Sequence, residues 1–161
     1  MRFLLALPAA ATVACGAFAQ PGPRHSEAAI VAMLKPGEEL EARVDGDFNG
    51  DGETDTAFIA AGPGQRTVHV VFAARKGAEF GFVPAGRFTL PSDRLGPADL
   101  SVIKDVLVIK DVTGGTTALA ATYRFRGDAA AGKMQLIGLD ARLYSRTFAH
   151  DGAKMSWNLL T

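Results

Sequence analysis

Short stretches in which apolar and polar residues alternate, separated by glycine, proline or aspartate, recur along most of the chain. In residues 66–75 the alternating apolar set is Val68, Val70, Phe72 and Ala74, with Thr67, His69 and Val71 on the other face. In residues 117–126 the apolar set is Leu119, Ala121, Tyr123 and Phe125. A period of two residues is that of a β-strand with one face on a core. The pattern therefore predicts an all-β protein.

Further strand candidates are spaced closely enough to pair as antiparallel neighbours. They are residues 38–44, 54–61, 85–90, 100–104, 106–110, 133–139, 142–148 and 154–160. Residues 106–109 have no polar face, which predicts a central strand that is buried on both sides. We expect mostly antiparallel sheets, arranged as a sandwich, an open barrel or two blade-like sheets.

One short helix is expected at the N-terminal side of these strands. Ser26 is a suitable N-cap for residues 27–34, and Pro36 and Gly37 would end the helix.

The first residues have the pattern of a secretory signal peptide. Arg2 precedes an apolar stretch, residues 3–18, and Ala17-Phe18-Ala19 forms a small-x-small cleavage site. The stretch is short for a membrane span and Pro8 interrupts it. We expect cleavage near Ala19 and a periplasmic or secreted protein, with no membrane span after cleavage.

The expected cleavage divides the chain into a signal peptide (1–19), a flexible lead-in (20–24) and a single β-rich domain (25–161). It also removes Cys15, the chain's one cysteine. A lipoprotein anchor at Cys15 is disfavoured because Thr12 occupies the position where such signals usually have leucine. The whole chain carries 17 basic and 17 acidic residues, a balance that gives no reason to expect nucleic-acid binding.

The segment with the clearest chemistry is the acidic stretch 45–55. Oxygen-bearing side chains recur there at alternate positions, namely Asp47, Asn49, Asp51, Glu53 and Asp55. Calcium takes six to eight oxygen ligands, and Gly52 would permit the sharp turn that wraps such a loop around one ion. The spacing predicts a structural calcium site. A tight turn without an ion, in which Asp and Asn side chains accept hydrogen bonds from main-chain amides, is the alternative.

This loop is not an EF-hand, because position twelve counted from Asp47 is Phe58 and the flanks read as strands. Together with the following residues 54–61, it resembles the FG-GAP or VCBS-type repeat, in which such a loop joins two strands and binds calcium. The resemblance covers residues 45–60. It implies side-chain ligands at Asp47, Asn49, Asp51 and Asp55, and a main-chain carbonyl ligand at Glu53.

A propeller built from such repeats needs at least four blades, whereas this chain has strands for about two. The resemblance therefore implies either one blade-like unit inside another β architecture or an oligomer. Residues 123–126, 132–140 and 156–160 also resemble the C-terminal region of exported proteobacterial proteins of unknown function, which implies no activity.

Other residues with chemical potential lack partners at useful spacing. His25, His69 and His150 are far apart in sequence, so neither a metal site nor a general base is indicated. The glycine-rich segment 111–117 is expected to be a hairpin turn, since strands flank it on both sides.

A row of arginines is expected on one strand face, from Arg124, Arg126 and either Arg142 or Arg146. The row could grip a carboxylate, but a solvated face paired with acids such as Asp128 and Asp140 is favoured. Trp157 alternates with Met155 and Leu159, which predicts a core-facing anchor on the last strand.

These features favour an exported, calcium-stabilised β module that binds an unknown protein or glycan and has no catalytic constellation. A small periplasmic metal-dependent hydrolase is the alternative, in which folding would bring His69 or His150 near the acidic loop. A structural or immunity-type protein is a further alternative, in which calcium would serve folding alone.

Overall fold

The structure is a computed structural model that describes residues 23–148 and 152–160. Within these residues, one short helix precedes nine strands. They are α1 (Glu27–Val31), β1 (Glu39–Gly46), β2 (Asp55–Gly62), β3 (Gln65–Lys76), β4 (Glu79–Leu90), β5 (Asp99–Ile103), β6 (Val106–Gly114), β7 (Thr117–Asp128), β8 (Lys133–Ser145) and β9 (Ala153–Asn158). The signal peptide (1–19), Cys15 and most of the lead-in lie outside the described residues. No helix in the described part of the chain is long and apolar enough to cross a membrane.

The strands form two antiparallel sheets in chain order. Sheet 1 has the order β1-β2-β3-β4, and sheet 2 has the order β5-β6-β7-β8-β9. Every pair is antiparallel, and the described strands close into no barrel. The expectation of an all-β protein is confirmed, in its sandwich form.

Several strand boundaries differ from the sequence prediction: β6 continues past residue 110 to Gly114, and the last strand ends at Asn158, before the predicted residue 160. The predicted strand 85–90 is the second half of the longer β4. The predicted strands 133–139 and 142–148 form one continuous strand, β8, because Asp140 and Ala141 stay in the ladder opposite Thr122 and Ala121 of β7. Aspartate breaks no strand there, since its side chain receives hydrogen bonds from Arg124 and Ser156.

The helix is shorter than expected but begins where predicted. Ser26 Oγ accepts a hydrogen bond from Ala29 N at 3.1 Å, and the helix ends with Val31 before the C-cap Ala32. Ile30 packs with Phe58 and Val71 on the outer face of sheet 1. This cover explains why β2 is buried on both faces and why Val71, expected on a polar face, is buried.

The main core fills the space between the sheets and includes several of the residues that alternation predicted to point inward, although Ala74, Leu119 and Ala121 are not part of it. Val68, Val70 and Phe72 of β3 belong to it, and Tyr123 and Phe125 of β7 pack against it. In β6, Leu107, Val108 and Ile109 are all buried, as predicted for a central strand. The position of the core follows from burial of these apolar side chains.

The two sheets have unequal widths. Sheet 1 lies over sheet 2 with β1 near β5 and β4 near β8, so the fifth strand, β9, extends beyond the edge of sheet 1. The prediction that Trp157 anchors the core is wrong, because its side chain is 51% exposed. Trp157 lies opposite Leu139, which lies opposite Tyr123, a residue packed against the core, so Trp157 is on the inner face of the sheet. No strand of sheet 1 reaches far enough to cover it.

A buried ionic cluster joins the two sheets. Arg66 of β3 donates hydrogen bonds to Glu41 of β1 and to both oxygens of Asp111 of β6, the latter at 3.0 and 3.1 Å. All three side chains are buried, and the half-buried Arg94 adds a second cation beside Glu41. Burial alone would raise the pKa of Glu41, but hydrogen bonds from Arg66 and from Ala98 N, with both arginine charges, bring the pKa below its usual value.

Replacing Arg66 by leucine should destabilise the fold strongly. The change leaves Asp111 buried without a cation and Glu41 with Arg94 alone, a loss of about 3–5 kcal/mol in the free energy of unfolding. Urea unfolding measures the loss. The control is Arg87→Leu, because Arg87 is exposed and its removal should change stability by less than about 0.5 kcal/mol. Equal effects of the two changes would contradict a structural role for the cluster.

Candidate metal-binding loop

The acidic loop joins β1 to β2. The two strands remain paired up to Gly46 and Asp55, so the loop leaves and re-enters the sheet at neighbouring positions. Gly50 and Gly52 have φ angles of 78° and 83°, in the left-handed region where glycine carries no steric penalty. The two glycines therefore make the tight course of this loop possible.

Side-chain oxygens of the loop accept hydrogen bonds from the loop's own amides. Asp47 Oδ1 accepts from Gly50 N at 2.6 Å, and Oδ2 accepts from Gly52 N at 2.8 Å. Asn49 Oδ1 accepts from Asp51 N at 3.0 Å, and Asp51 Oδ1 from Glu53 N at 2.8 Å. This pattern of Asx turns is the capping arrangement that the ion-free alternative anticipated.

Asp55 differs from the other loop acids because it is fully buried. Its Oδ2 accepts from Phe48 N and its Oδ1 from Ala73 N, both at 2.9 Å. Burial raises the pKa of Asp55 to about 6, against the two backbone hydrogen bonds that lower it; the charges of Asp51 and Asp47 raise it further. The carboxylate thus ties the loop to β3 at an electrostatic cost that its acidic neighbours increase.

The loop is also fixed to sheet 2. Phe48 is buried in the main core, and its carbonyl oxygen accepts from Gly127 N of β7 at 2.7 Å. A Cβ atom at Gly127 would lie 2.7 Å from Asn49 Cβ and 2.8 Å from Phe72 Cζ. Only glycine allows β7 to approach the loop this closely.

The negative charge of the loop is only partly compensated. Glu53 forms an ion pair with Arg75 of β3, with Nε and Oε1 2.7 Å apart. Within the described residues, Asp47, Asp51 and Asp55 are in no ion pair, although Asn49 Nδ2 donates to Asp51 Oδ2. The loop therefore combines a fixed backbone with unpaired carboxylates.

The donor atoms of the loop match a hard cation in chemical type, but their side chains are directed to the loop's own amides and are not gathered around one point. Carboxylate and amide oxygens are the ligands that calcium prefers, and an oxygen that accepts one N–H keeps a second lone pair. In residues 23–148 and 152–160, no three His, Cys, Asp or Glu side chains form a group that could hold a metal ion. Of the residues expected as ligands, Asp47, Asn49, Asp51 and Glu53 lie on the turn itself, whereas Asp55 is buried beneath it.

The two described histidines pack against aromatic rings and make no hydrogen bond to the acidic loop. The ring of His69 stacks on Phe58 with centroids 4.9 Å apart, and that of His25 meets Phe82 edge-on at 4.1 Å. His25 is buried and its Nδ1 has no hydrogen-bond partner among the described residues. His150 lies outside the described residues.

The arginine row is partly engaged in pairs. Arg124 pairs with Asp140 across β7 and β8, and Arg142 lies over the ring of Tyr144 at 5.4 Å. Pairing with Asp140 is what the solvated-face interpretation anticipated. The segment 111–117 includes the hairpin turn between β6 and β7, as predicted.

Sequence reasoning missed the Arg66 cluster and the role of Gly127. The signal available in the sequence was the position of the charged residues within the alternating pattern. Arg66 is on the same strand face as Val68 and Val70, and Asp111 is on the same face as Leu107 and Ile109. A charged residue in phase with core positions indicates a buried pair. No comparable signal marks Gly127, since its close contacts come from another sheet.

Comparison of the chain with family models, with curated proteins and with solved structures found no match. Its function is therefore argued from the fold and from the geometry of the loop.

Substituting Gly127 by alanine should displace the acidic loop from β7. The added Cβ overlaps the Phe48 carbonyl oxygen and Asn49, so we expect a loss of about 1–3 kcal/mol in unfolding free energy. Gly81→Ala is the matched control, because a Cβ there meets no atom within 4 Å. Chemical denaturation of both variants measures the difference, and a harmless Gly127→Ala would mean that the loop is free to move.

The two described histidines should make stability depend on pH. For His25, burial lowers the pKa below 6.5 and Arg43 lowers it further, while Asp45 opposes this. For His69, burial is again the main cause of a lowered pKa, followed by Arg87. Since the unfolded chain takes up protons first, their contribution is fully present above about pH 6.5 and declines as the pH falls.

The measurement is the free energy of unfolding between about pH 8 and about pH 5, compared with a His25→Phe, His69→Phe variant. The decline should be smaller in the variant, and the comparison cancels other titrating groups such as Asp55. Identical pH profiles would contradict the inferred burial of the neutral rings.

Proposed function

We propose that this protein is an exported, non-enzymatic β-sandwich module that binds a protein or glycan partner and is stabilised by calcium at the loop 47–55. The observation that carries the proposal is a loop rigidly anchored to both sheets while Asp47 and Asp51 have no cationic partner among the described residues. Its export would follow from the signal-like residues 1–19.

The loop acids favour cation binding on electrostatic grounds. Asp47 and Asp51 raise the pKa of the buried Asp55, so their mutual repulsion already acts on the fold. A divalent cation held by the turn oxygens would remove that repulsion. Calcium is preferred over softer metals because all the available donors are oxygens.

Because of the position of the loop, an ion bound there would affect the stability of the whole sandwich. Phe48 lies in the core, its carbonyl accepts from Gly127 of sheet 2, and its amide donates to Asp55. An ion that orders the turn would therefore strengthen a junction between the sheets. Its role would be structural, and binding of a partner would use surfaces that the sandwich presents.

A binding role fits the placement of the described ionisable groups better than hydrolysis does. His69 and His25 pack on Phe58 and Phe82 rather than at the acidic loop, so neither is within hydrogen-bond reach of its carboxylates. The Arg66 cluster is buried and internally neutralised, as expected of a structural element.

Calcium should raise the melting temperature of the exported protein. With a dissociation constant of about 10⁻⁴ to 10⁻³ M, typical of extracellular modules, about 5 mM calcium adds about 1–2 kcal/mol to the free energy of unfolding. For a domain of this size that corresponds to several degrees. Thermal unfolding in excess chelator and then in calcium measures the shift.

The variant Asp47→Ala, Asp51→Ala should lose the calcium-dependent shift. A matched control, Glu79→Gln with Asp99→Asn, removes two exposed acids elsewhere and should keep it. Magnesium at the same concentration separates specific binding from screening of charge. A calcium-dependent rise in melting temperature that persists in the loop variant, or the lack of one in the unchanged protein, would contradict the calcium part of the proposal.

A further inference from the structure

The inner face of sheet 2 continues onto β9, and no strand in residues 23–148 or 152–160 covers it there. Trp157 is 51% exposed, Met155 is 48% exposed and Leu143 is 44% exposed, although each lies on the face that forms the core elsewhere in the sheet. Exposed large apolar side chains in a row are typical of an interaction surface. The row follows directly from the fifth strand, which has no counterpart in sheet 1.

The other sheet edges are protected, whereas β9 has no further strand beside it in the described part of the chain. The outer strand of sheet 1, β4, contains Pro84 and a register shift against Val70 and Val71 of β3. Proline and bulges protect an edge against further pairing. The remaining edges, β1 and β5, lie against each other. All six residues of β9 are exposed, and the one charged residue among them is Lys154.

The direction of the free hydrogen-bonding groups on β9 is known from its ladder. Leu159 N donates to Ile137 O of β8, so alternate residues back along the strand direct their amides to β8 as well. Lys154, Ser156 and Asn158 therefore direct N–H and C=O groups toward the open edge. These are the groups that another strand would use.

We propose that β9 pairs antiparallel with β9 of a second copy of this chain, around a twofold axis at Ser156. The two five-stranded sheets would then join into one continuous sheet. This proposal goes beyond the proposed calcium-stabilised module and uses no residue of the acidic loop.

The position of the axis follows from the outward-directed residues and from charge. An axis at Lys154 places Lys154 against its own copy, which costs energy through repulsion of like charges. An axis at Asn158 pairs only the end of the strand. The axis at Ser156 pairs the strand along most of its length and places Lys154 opposite the partner's neutral Asn158.

The same register makes the apolar row self-complementary. Met155 lies opposite the partner's Trp157, and Trp157 opposite the partner's Met155, so the exposed side chains of the two copies pack side by side across the new ladder. A twofold contact needs a surface that is complementary to itself, and the β9 row meets this condition. The row also contains no charged residue that would favour a strand of opposite charge from another protein. We therefore take a second copy as the occupant. A single strand edge is small beside the ~800 Å² per partner of a standard interface, so the dimer should be weak and concentration-dependent.

Sedimentation equilibrium of the exported protein over a concentration series tests the dimer. We expect a monomer–dimer equilibrium that Ser156→Pro weakens by roughly tenfold or more, because proline removes an edge N–H and not one of the bonds to β8. Ser156→Ala is the matched control. It loses only the hydroxyl bond to Asp140 and should dimerise like the unchanged protein.

The register is tested at Asn158, which also keeps the proposal falsifiable if the proline variant fails to fold. Asn158→Asp creates two cross-strand pairs with Lys154 and should tighten the dimer about threefold or more, whereas Asn158→Lys should weaken it by a similar factor. A protein that stays monomeric up to ~1 mM, at which even weak interfaces associate, overturns the proposal and leaves the edge to a different chain. A dimer indifferent to Ser156→Pro, or one weakened by Asn158→Asp, overturns it as well.

Discussion

The strands of one sheet form no backbone ladder with those of the other, so contacts across the sandwich determine the rest of the structure. The apolar core supplies attraction, but hydrophobic contact has little direction. The relative orientation of the sheets is determined by two sets of hydrogen bonds between them, at opposite ends of sheet 1, which we call the polar crossings. At one end Arg66 of β3 binds Asp111 of β6, and at the other the Phe48 carbonyl accepts from Gly127 N of β7. Together they fix how the sheets lie on each other, because hydrogen bonds are sensitive to angle.

Alternation in the sequence was sufficient to predict the fold class, and the apolar run 106–109 predicted a buried central strand. The N-cap at Ser26 was predicted from its position before residues 27–34. The sequence prediction failed at residues whose type is compatible with two different structural positions. Asp140 reads as a turn residue, but cross-strand bonds from Arg124 and Ser156 keep it within β8. Trp157 reads as a core residue, and its face is the core face, yet the width of sheet 1 decides whether that face is covered. Sheet width depends on all strands together, so no local pattern contains it.

The candidate loop was predictable as a turn rich in oxygen donors, including the glycines that its backbone requires. The division of its acidic residues into exposed and buried ones was not predictable. Spacing treats Asp47, Asn49, Asp51 and Asp55 as equivalent, whereas burial separates Asp55 from the others. The cause lies in β2, which is covered on one face by the main core and on the other by α1, so its first residue is buried with it. A carboxylate at that position needs donors from the protein, and Phe48 N and Ala73 N provide them.

The two polar crossings differ in net charge, and we expect added cations to act at the one whose charge is uncompensated. Around Arg66, two cations face Glu41 and Asp111, so that end is neutral within itself and gains nothing from an added ion. At the other end, the acids of the loop outnumber the one cation, Arg75, that pairs with Glu53. Electrostatic stabilisation by a bound cation is available only where charge is uncompensated. We therefore expect a response to cations at the loop. The proposed pairing through β9 uses backbone groups and neutral side chains and should not depend on that response.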